Sequence, residues 1–267
     1  MIVYETADAF VLTEQHDHAG ISGEVVAHWK NEHLYNPDTK DELQLAATEH
    51  DRGWINLDAA PFWNDASTAP YSFKDFPLRP RYVFYRLGIQ EVEQRSPYAA
   101  LLCSLMYTEL FERIQIPDPQ DEAANRAFLD GEVQRRTRLY EQLGDTPSLR
   151  QRAEAELHML LFCDELSLFV CLAEPGTPSS EYEWFADGLH HPSPGSYEER
   201  MRVCWTSEHS IELDTDALLP NASVTHTYRK VYKKAIREHG IYAAFHHAPP
   251  QHRTITLHGK AQAPISL

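Results

Sequence analysis

A chain of 267 residues, 42% of them hydrophobic, is long and apolar enough for a substantial core, built as one large domain or as one domain with a smaller module. Its 24 basic and 40 acidic residues give a formal charge of −16 with no visible basic stripe, which argues against a nucleic-acid partner but leaves room for a small anionic substrate. No run approaches the ~18 apolar residues of a membrane span. The start Met1-Ile2-Val3-Tyr4-Glu5 lacks signal-peptide features, and Cys103, Cys163, Cys171 and Cys204 show no CxxC spacing, so the chain reads as a cytoplasmic protein with reduced thiols. Homo-oligomerisation stays open.

In chain order, residues 2–13 alternate as a β-hairpin with Ala7-Asp8 as its turn. A helix is expected over about 15–34, with His18, Ile21, Val25 and Trp29 as its apolar stripe. Asn36-Pro37-Asp38 breaks it, and Asp38 or Thr39 can cap a second helix leading to His50 and Asp51. Residues 54–80 form a long Pro- and aromatic-rich segment, read equally well as a lid or as an ordered surface wrap. Helices follow over about 80–95, 97–114, 120–143 and 148–172, with Pro97 suited to a first turn. Beyond residue 175 the segments 200–206, 224–233, 240–246 and 253–258 read as strands. The fold class is therefore α+β, mainly α. A helical domain with an N-terminal hairpin spans 1–175, and a β-rich C-terminal module spans 176–267, the β parts at the two ends being able to share one sheet.

Three polar residues fall where apolar ones are expected, and a fourth sits beside one of them. Leu43, Ala46, Ala47, His50 and Trp54 recur at helical spacing, so His50 lies on the apolar stripe with Asp51 beside it. Asp164 is in line with Leu157, Leu160, Leu161 and Leu168, and His18 holds the same sort of place on the first helix. A buried carboxylate or imidazole needs a partner. For Asp164 alone a salt bridge or hydrogen bond serves as well as a metal, and a single histidine on an apolar stripe is more often a satisfied core residue. Taken together, His18, His50, Asp51 and Asp164 offer two nitrogens and two oxygens from three helices, a set suited to one divalent ion such as Mn, Fe, Co, Ni, Zn or Mg.

The stretch Leu45-Ala46-Ala47-Thr48-Glu49-His50-Asp51-Arg52-Gly53 resembles the hallmark helix of the HD superfamily of metal-dependent phosphohydrolases. The resemblance implies an HD-like helical fold in which His18, His50, Asp51 and Asp164 bind metal. More narrowly, Gln15-His16-Asp17-His18, His50-Asp51-Arg52-Gly53-Trp54 with Asp58, Pro70-Tyr71-Ser72-Phe73 and Ser96-Pro97-Tyr98-Ala99-Ala100-Leu101-Leu102 are similar to an uncharacterised bacterial family, DUF3891, over about residues 1–175. That family brings no established activity. Binuclear members of the superfamily carry two further histidines, whereas no histidine occurs here between His50 and His158, and Met106 and Tyr107 stand about where one is expected. One metal is the better expectation.

The function expected is a hydrolase of HD type, a phosphohydrolase acting on a small phosphoester or nucleotide-like substrate through a single metal-activated water. Glu49 and Asp58 are near enough in sequence to serve as base or water-orienting groups, though a solvated helix residue and a turn or cap residue are their plainer readings. Arg52, Arg79 and Arg81 are candidate phosphate clamps, with Tyr107 as a further substrate contact, although surface arginines are common. Tyr71, Phe73 and Trp54 offer an apolar wall or simple core packing. The alternative is a non-catalytic, sensory or structural protein that keeps an HD-like fold and its metal or ligand. A metal-dependent oxygenase ranks last, because the further iron ligands are missing. Nine of the fifteen histidines lie at or beyond His190, in no spacing that matches a zinc pattern.

Overall fold

The computed structural model describes residues 1–193 and 199–260. Strands β1 (Ile2–Glu5) and β2 (Ala9–Thr13) form the expected hairpin, pairing from Ile2 opposite Thr13 to Glu5 opposite Phe10. Its turn at Ala7-Asp8 is closed by the Thr6 N–H donating to the Ala9 carbonyl at 2.8 Å.

Helix α1 (Gln15–Ala27) stops well short of the expected residue 34. Beyond it the backbone is captured by the C-terminal part of the chain: Trp29 bridges Leu218, and the Lys30 N–H donates to the Ala217 carbonyl at 2.8 Å. Helix α2 (Lys40–Glu49) has Thr39 at its N-cap position, but the Thr39 hydroxyl bonds the Asn36 carbonyl and Glu156 instead of capping. The following segment is largely ordered wrap, with the short helix α3 (Ile55–Asp58) and the two-residue strands β3 (Trp63–Asn64) and β4 (Ala69–Pro70).

Four longer helices come next: α4 (Leu78–Glu93), α5 (Pro97–Glu112), α6 (Pro119–Leu143) and α7 (Pro147–Cys171). The last three begin alike. A proline fills the first turn, where no N–H is needed, and Ser96, Asp118 or Thr146 just before it accepts a hydrogen bond from a free backbone N–H. Helix α7 is buried along most of its length and packs against α1, α2 and α5.

The C-terminal part supplies β5 (Leu189–His190), β6 (Arg200–Met201), β7 (Val203–Ser207), β8 (Ser210–Leu213) and β9 (Ser223–Tyr232), then α8 (Lys233–His247) and β10 (Gln251–Gly259). The strand expected over 240–246 is part of α8. Its apolar run looks strand-like, but it forms two helical pieces bent at Gly240 (φ 78°), and Ile236 before the bend and Ala244 and Phe245 after it bury against the sheet, together with Phe10, Leu12 and Val231. Six strands make one sheet in the order β1-β2-β9-β10-β8-β7, antiparallel except for the β10–β8 pair. The β elements of the two chain ends thus meet at β2 and β9. The larger core lies among the helices, and α8 covers a second, smaller cluster. This is an α+β architecture. All four cysteines are free, three buried and Cys204 half-buried. No helix among the described residues is long and apolar enough to cross a membrane.

Candidate metal centre

Helix α2 ends at His50, and Asp51 leaves the helical conformation at φ −100° and ψ 20°. In a continuous helix, neighbouring side chains diverge by about 100°. The break at Asp51 lets both side chains turn toward one point. Two glycines hold that break in place. A Cβ on Gly53 would sit 2.4 Å from the Phe84 carbonyl oxygen of α4, and one on Gly88 would sit 2.4 Å from the Gly53 nitrogen. The turn carrying Asp51 therefore lies directly on the α4 backbone, as close as glycine allows.

His18 of α1 and Asp164 of α7 complete the cluster, and all four residues are buried. His18 Nε2 is 2.8 Å from Asp51 Oδ2 and 3.8 Å from Asp164 Oδ1, while His50 Nε2 is 3.8 Å and 3.2 Å from the same two oxygens. Ligands held about 2.1 Å from one ion are about 3.0–3.5 Å apart. These separations of 2.8–3.8 Å bracket that range, and His18, His50 and Asp51 each offer a ligand atom within 4.8 Å of the others, with Asp164 reaching in beside His50.

The surrounding hydrogen bonds orient the two rings. His50 Nδ1–H donates to the Ala47 carbonyl at 2.8 Å. The Ser167 hydroxyl donates to the Asp164 carbonyl at 2.8 Å, so it accepts from His18 Nδ1–H, 2.7 Å away. His18 Nε2 is within hydrogen-bonding distance of Asp51 Oδ2, a contact that needs a proton or a metal on that nitrogen, while a neutral His50 keeps its proton on Nδ1 and turns a bare Nε2 toward Asp164. Lone pairs facing carboxylates repel unless a cation lies between them, either a proton or a metal. His50 Nε2 is buried without a hydrogen-bond partner, because Asp164 at 3.2 Å stands outside hydrogen-bonding geometry. Burial by itself lowers the His50 pKa, but Asp51 and Asp164 outweigh it and push the pKa up to about 9. Burial raises the Asp51 pKa, and the charges and hydrogen bonds of His50, His18 and Tyr107 bring it down to about 2. The donor set fits a single divalent ion, and Asp51 is further fixed by Tyr107 Oη–H to its Oδ1 (2.6 Å) and Gln15 Nε2–H to its Oδ2 (2.9 Å).

The cluster opens on a cleft of roughly 400 Å³ whose walls include Gln15, Phe73, Lys74, Arg81, Tyr85, Met106, Tyr107, Glu165 and Trp184. A larger hollow of about 650 Å³, between Trp29, His33, Met159 and Asp216, contains none of the clustered residues. The other sequence candidates divide. Arg81 and Tyr107 line the cleft with His18, His50, Asp51 and Asp164. Arg52 is tied to Glu91 and Glu49, and Arg79, more than half exposed, pairs with Asp121; neither lines the cleft. Glu49 is buried rather than solvated. Burial would raise its carboxyl pKa, but bonds from Arg52 and Arg95 hold it below the usual range. Asp58 is a cap, accepting the Gln15 N–H at 2.6 Å and the amino group of Met1 at 2.6 Å. Of the aromatic candidates, Phe73 lines the cleft, whereas Tyr71 and Trp54 pack against Phe76.

Sequence reasoning missed Ser167, Gln15 and Glu165 as parts of the site. Ser167 and Gln15 carry a usable signal, each three residues from a ligand on the same helical face (Asp164 and His18), where second-layer partners fall. Glu165, next to Asp164 in sequence, lines the cleft and is held by His190, whose Nδ1 is 2.7 Å from the carboxylate, a partner no spacing on α7 reveals.

Fold and site together define an α+β protein with a buried cluster of two histidines and two aspartates beside a cleft. The chain belongs to the family described as "Protein of unknown function (DUF3891)", which matches residues 1–233. That match contains all four clustered residues and runs past the expected limit of 175 to the end of β9. No curated protein and no solved structure matched the chain.

Proposed function

We propose that this protein is a metal-dependent hydrolase of HD type, acting on a small phosphoester with one divalent ion held by His18, His50, Asp51 and Asp164. The observation that carries the reading is His50 Nε2, buried and unpartnered, turned together with His18 Nε2 toward two carboxylates beside a cleft. The likeness of residues 45–53 to the HD hallmark helix and the order of the four residues along the chain support it. A divalent ion there supplies Lewis-acid chemistry to a phosphoryl group and an attacking water. The chain's own residues do the positioning. Ala47 and Ser167 orient the two imidazoles, Tyr107 and Gln15 hold Asp51, and Arg81 offers a guanidinium to the anion.

A second reading, a binding or sensory protein that keeps the metal without turnover, draws on one observation. Glu49 and Asp58, the carboxylates nearest in sequence to a base role, are engaged elsewhere, and the cleft's Glu165 accepts from His190. Metal analysis of the purified protein, with a phosphoester panel in Mn, Co, Ni and Mg, tests the proposal. About one ion per chain, turnover that chelation abolishes, and loss of both in His50→Ala and Asp164→Asn are expected. Absence of metal uptake together with unchanged behaviour of both variants would overturn it. Tight metal retention with no turnover on any phosphoester would favour the second reading.

A further inference from the structure

We infer that the cleft takes a phosphate monoester whose organic part is bulky and apolar, with Arg81 holding the phosphate; the chemistry done on it rests on the hydrolase reading above. Arg81 is a buried cation without a counter-charge. It is 8% exposed, its Nη2–H donates to the Phe76 carbonyl, and its Nε is buried with no hydrogen-bond partner. Among the described residues, no carboxylate lies within ion-pairing distance of it, whereas the similarly sheltered Arg135 pairs with both Glu93 and Glu132. The Trp54 ring, 6.0 Å from the guanidinium carbon, is a weak substitute. A buried guanidinium left this way is unfavourable until an anion reaches it, and its free edge matches phosphate geometry.

The cation is also close to the metal cluster. Tyr85 shares the cleft with Arg81 and packs on Tyr107 with ring centroids 4.1 Å apart, and Tyr107 bonds Asp51. Two packed side chains, Tyr85 and Tyr107, thus stand between Arg81 and Asp51 along the cleft wall. A phosphate bound there sits between a fixed cation and an ion able to polarise it.

The rest of the cleft selects the organic group. Phe73 meets Trp184 edge-on at 5.9 Å, Lys74 lies 4.1 Å from the Trp184 ring, and Leu110, Phe111 and Leu168 complete an apolar wall. Tyr107 and the Gln15 amide N–H are committed to Asp51, Glu165 to His190, and the Lys74 ammonium sits over Trp184 with Glu183 at 3.8 Å. Gln15 Oε1 is the buried acceptor that remains. A ribose or hexose needs partners for several hydroxyls at once and would leave them unpaired here, while an aromatic or branched alkyl group gains by burial. Hydrolysis then balances without a co-reactant. The water oxygen bonds to phosphorus, the ester P–O bond breaks, and the leaving oxygen takes a proton from the water, giving an alcohol or phenol and inorganic phosphate.

Calorimetric binding of 1-naphthyl phosphate, ribose 5-phosphate and inorganic phosphate to the full-length protein, both Mn-loaded and chelated, tests this, with turnover followed in parallel. Naphthyl phosphate is expected to bind at least about tenfold more tightly than ribose 5-phosphate. Arg81→Met should weaken all three by about tenfold or more, with Arg81→Lys intermediate. Trp184→Ala, at an exposed position, should weaken naphthyl phosphate alone. Equal affinity for the two esters, or an Arg81→Lys protein that binds like wild type, overturns the inference. If Arg81→Met does not fold, Arg81→Lys and Trp184→Ala decide. Metal-dependent turnover that ignores Arg81 or prefers sugar phosphates would sink this inference and leave the hydrolase reading intact. Naphthyl preference and Arg81 dependence without metal uptake or turnover would do the reverse.

Discussion

Tyr107→Phe isolates the support of a metal ligand from the ligand itself. The substitution removes one oxygen and keeps the ring that packs on Tyr85 at 4.1 Å and on Phe111 at 6.3 Å. The lost hydroxyl is 2.6 Å from Asp51 Oδ1 and 2.9 Å from the His50 carbonyl, so the buried carboxylate loses the donor on that oxygen. A hydrogen bond to a charged group is worth about 1.5–3 kcal/mol, so the metal-free protein should be destabilised by about 2 kcal/mol. Removal of such a supporting partner typically lowers metal affinity about 10–100-fold, equivalent to about 1.4–2.7 kcal/mol. Manganese titration by calorimetry, with thermal unfolding in the presence of chelator, separates the two effects. Tyr98→Phe is the control, because its hydroxyl donates to Glu156 at 2.7 Å, away from the cluster; it should cost stability and leave metal affinity alone. A folded Tyr107→Phe protein with wild-type manganese affinity would refute the reasoning.

Gly88→Ala should destabilise by about 1–3 kcal/mol, since the added carbon would meet the Gly53 nitrogen at 2.4 Å and Cα at 2.8 Å. Because that clash pushes on the turn after Asp51, metal affinity should fall with stability; chemical denaturation paired with metal titration checks both, and a neutral alanine would contradict the close packing. Glu93 carries a pH-dependent effect remote from the cluster. Its carboxylate accepts from Arg138 at 2.6 and 2.8 Å and from Arg135 at 3.2 Å, and these bonds, with Arg138 foremost, lower its pKa below the ordinary 4.5. A depressed carboxyl pKa stabilises the fold above about pH 4.5, and the contribution disappears as the pH falls through the folded-state value. Glu93→Gln should therefore cost about 1 kcal/mol at pH 7, after allowance for the half-exposed Arg138, and less near pH 3. Urea melts at the two pH values measure the difference, and an equal cost at both would contradict it.

Where local chemistry decides, the sequence was legible. Proline in a first turn behind Ser96, Asp118 or Thr146 specifies a helix start from nearest neighbours alone, and α5, α6 and α7 begin there. The positions of His18, His50 and Asp164 on apolar stripes likewise follow from residue spacing within single helices, since that spacing alone determines which side chains share a buried face. The limits of α1 were not legible, because the chain leaves the helix to pair with residues 217 and 218 almost two hundred positions away. Nor was α8, whose aromatic run suits a strand until the sheet it covers is known.

The sequence by itself thus determined which side chains had to be buried and polar, and on which helices. Only the tertiary structure decided what they meet. It turned two Nε2 atoms toward two carboxylates, sent Arg52 and Arg79 to the carboxylates of neighbouring helices, and left Arg81 in the cleft without one. The reason is physical. A helix's own period fixes the face a residue takes, whereas a long charged side chain finds its partner among groups that distant segments bring near, and no spacing along the chain encodes that distance.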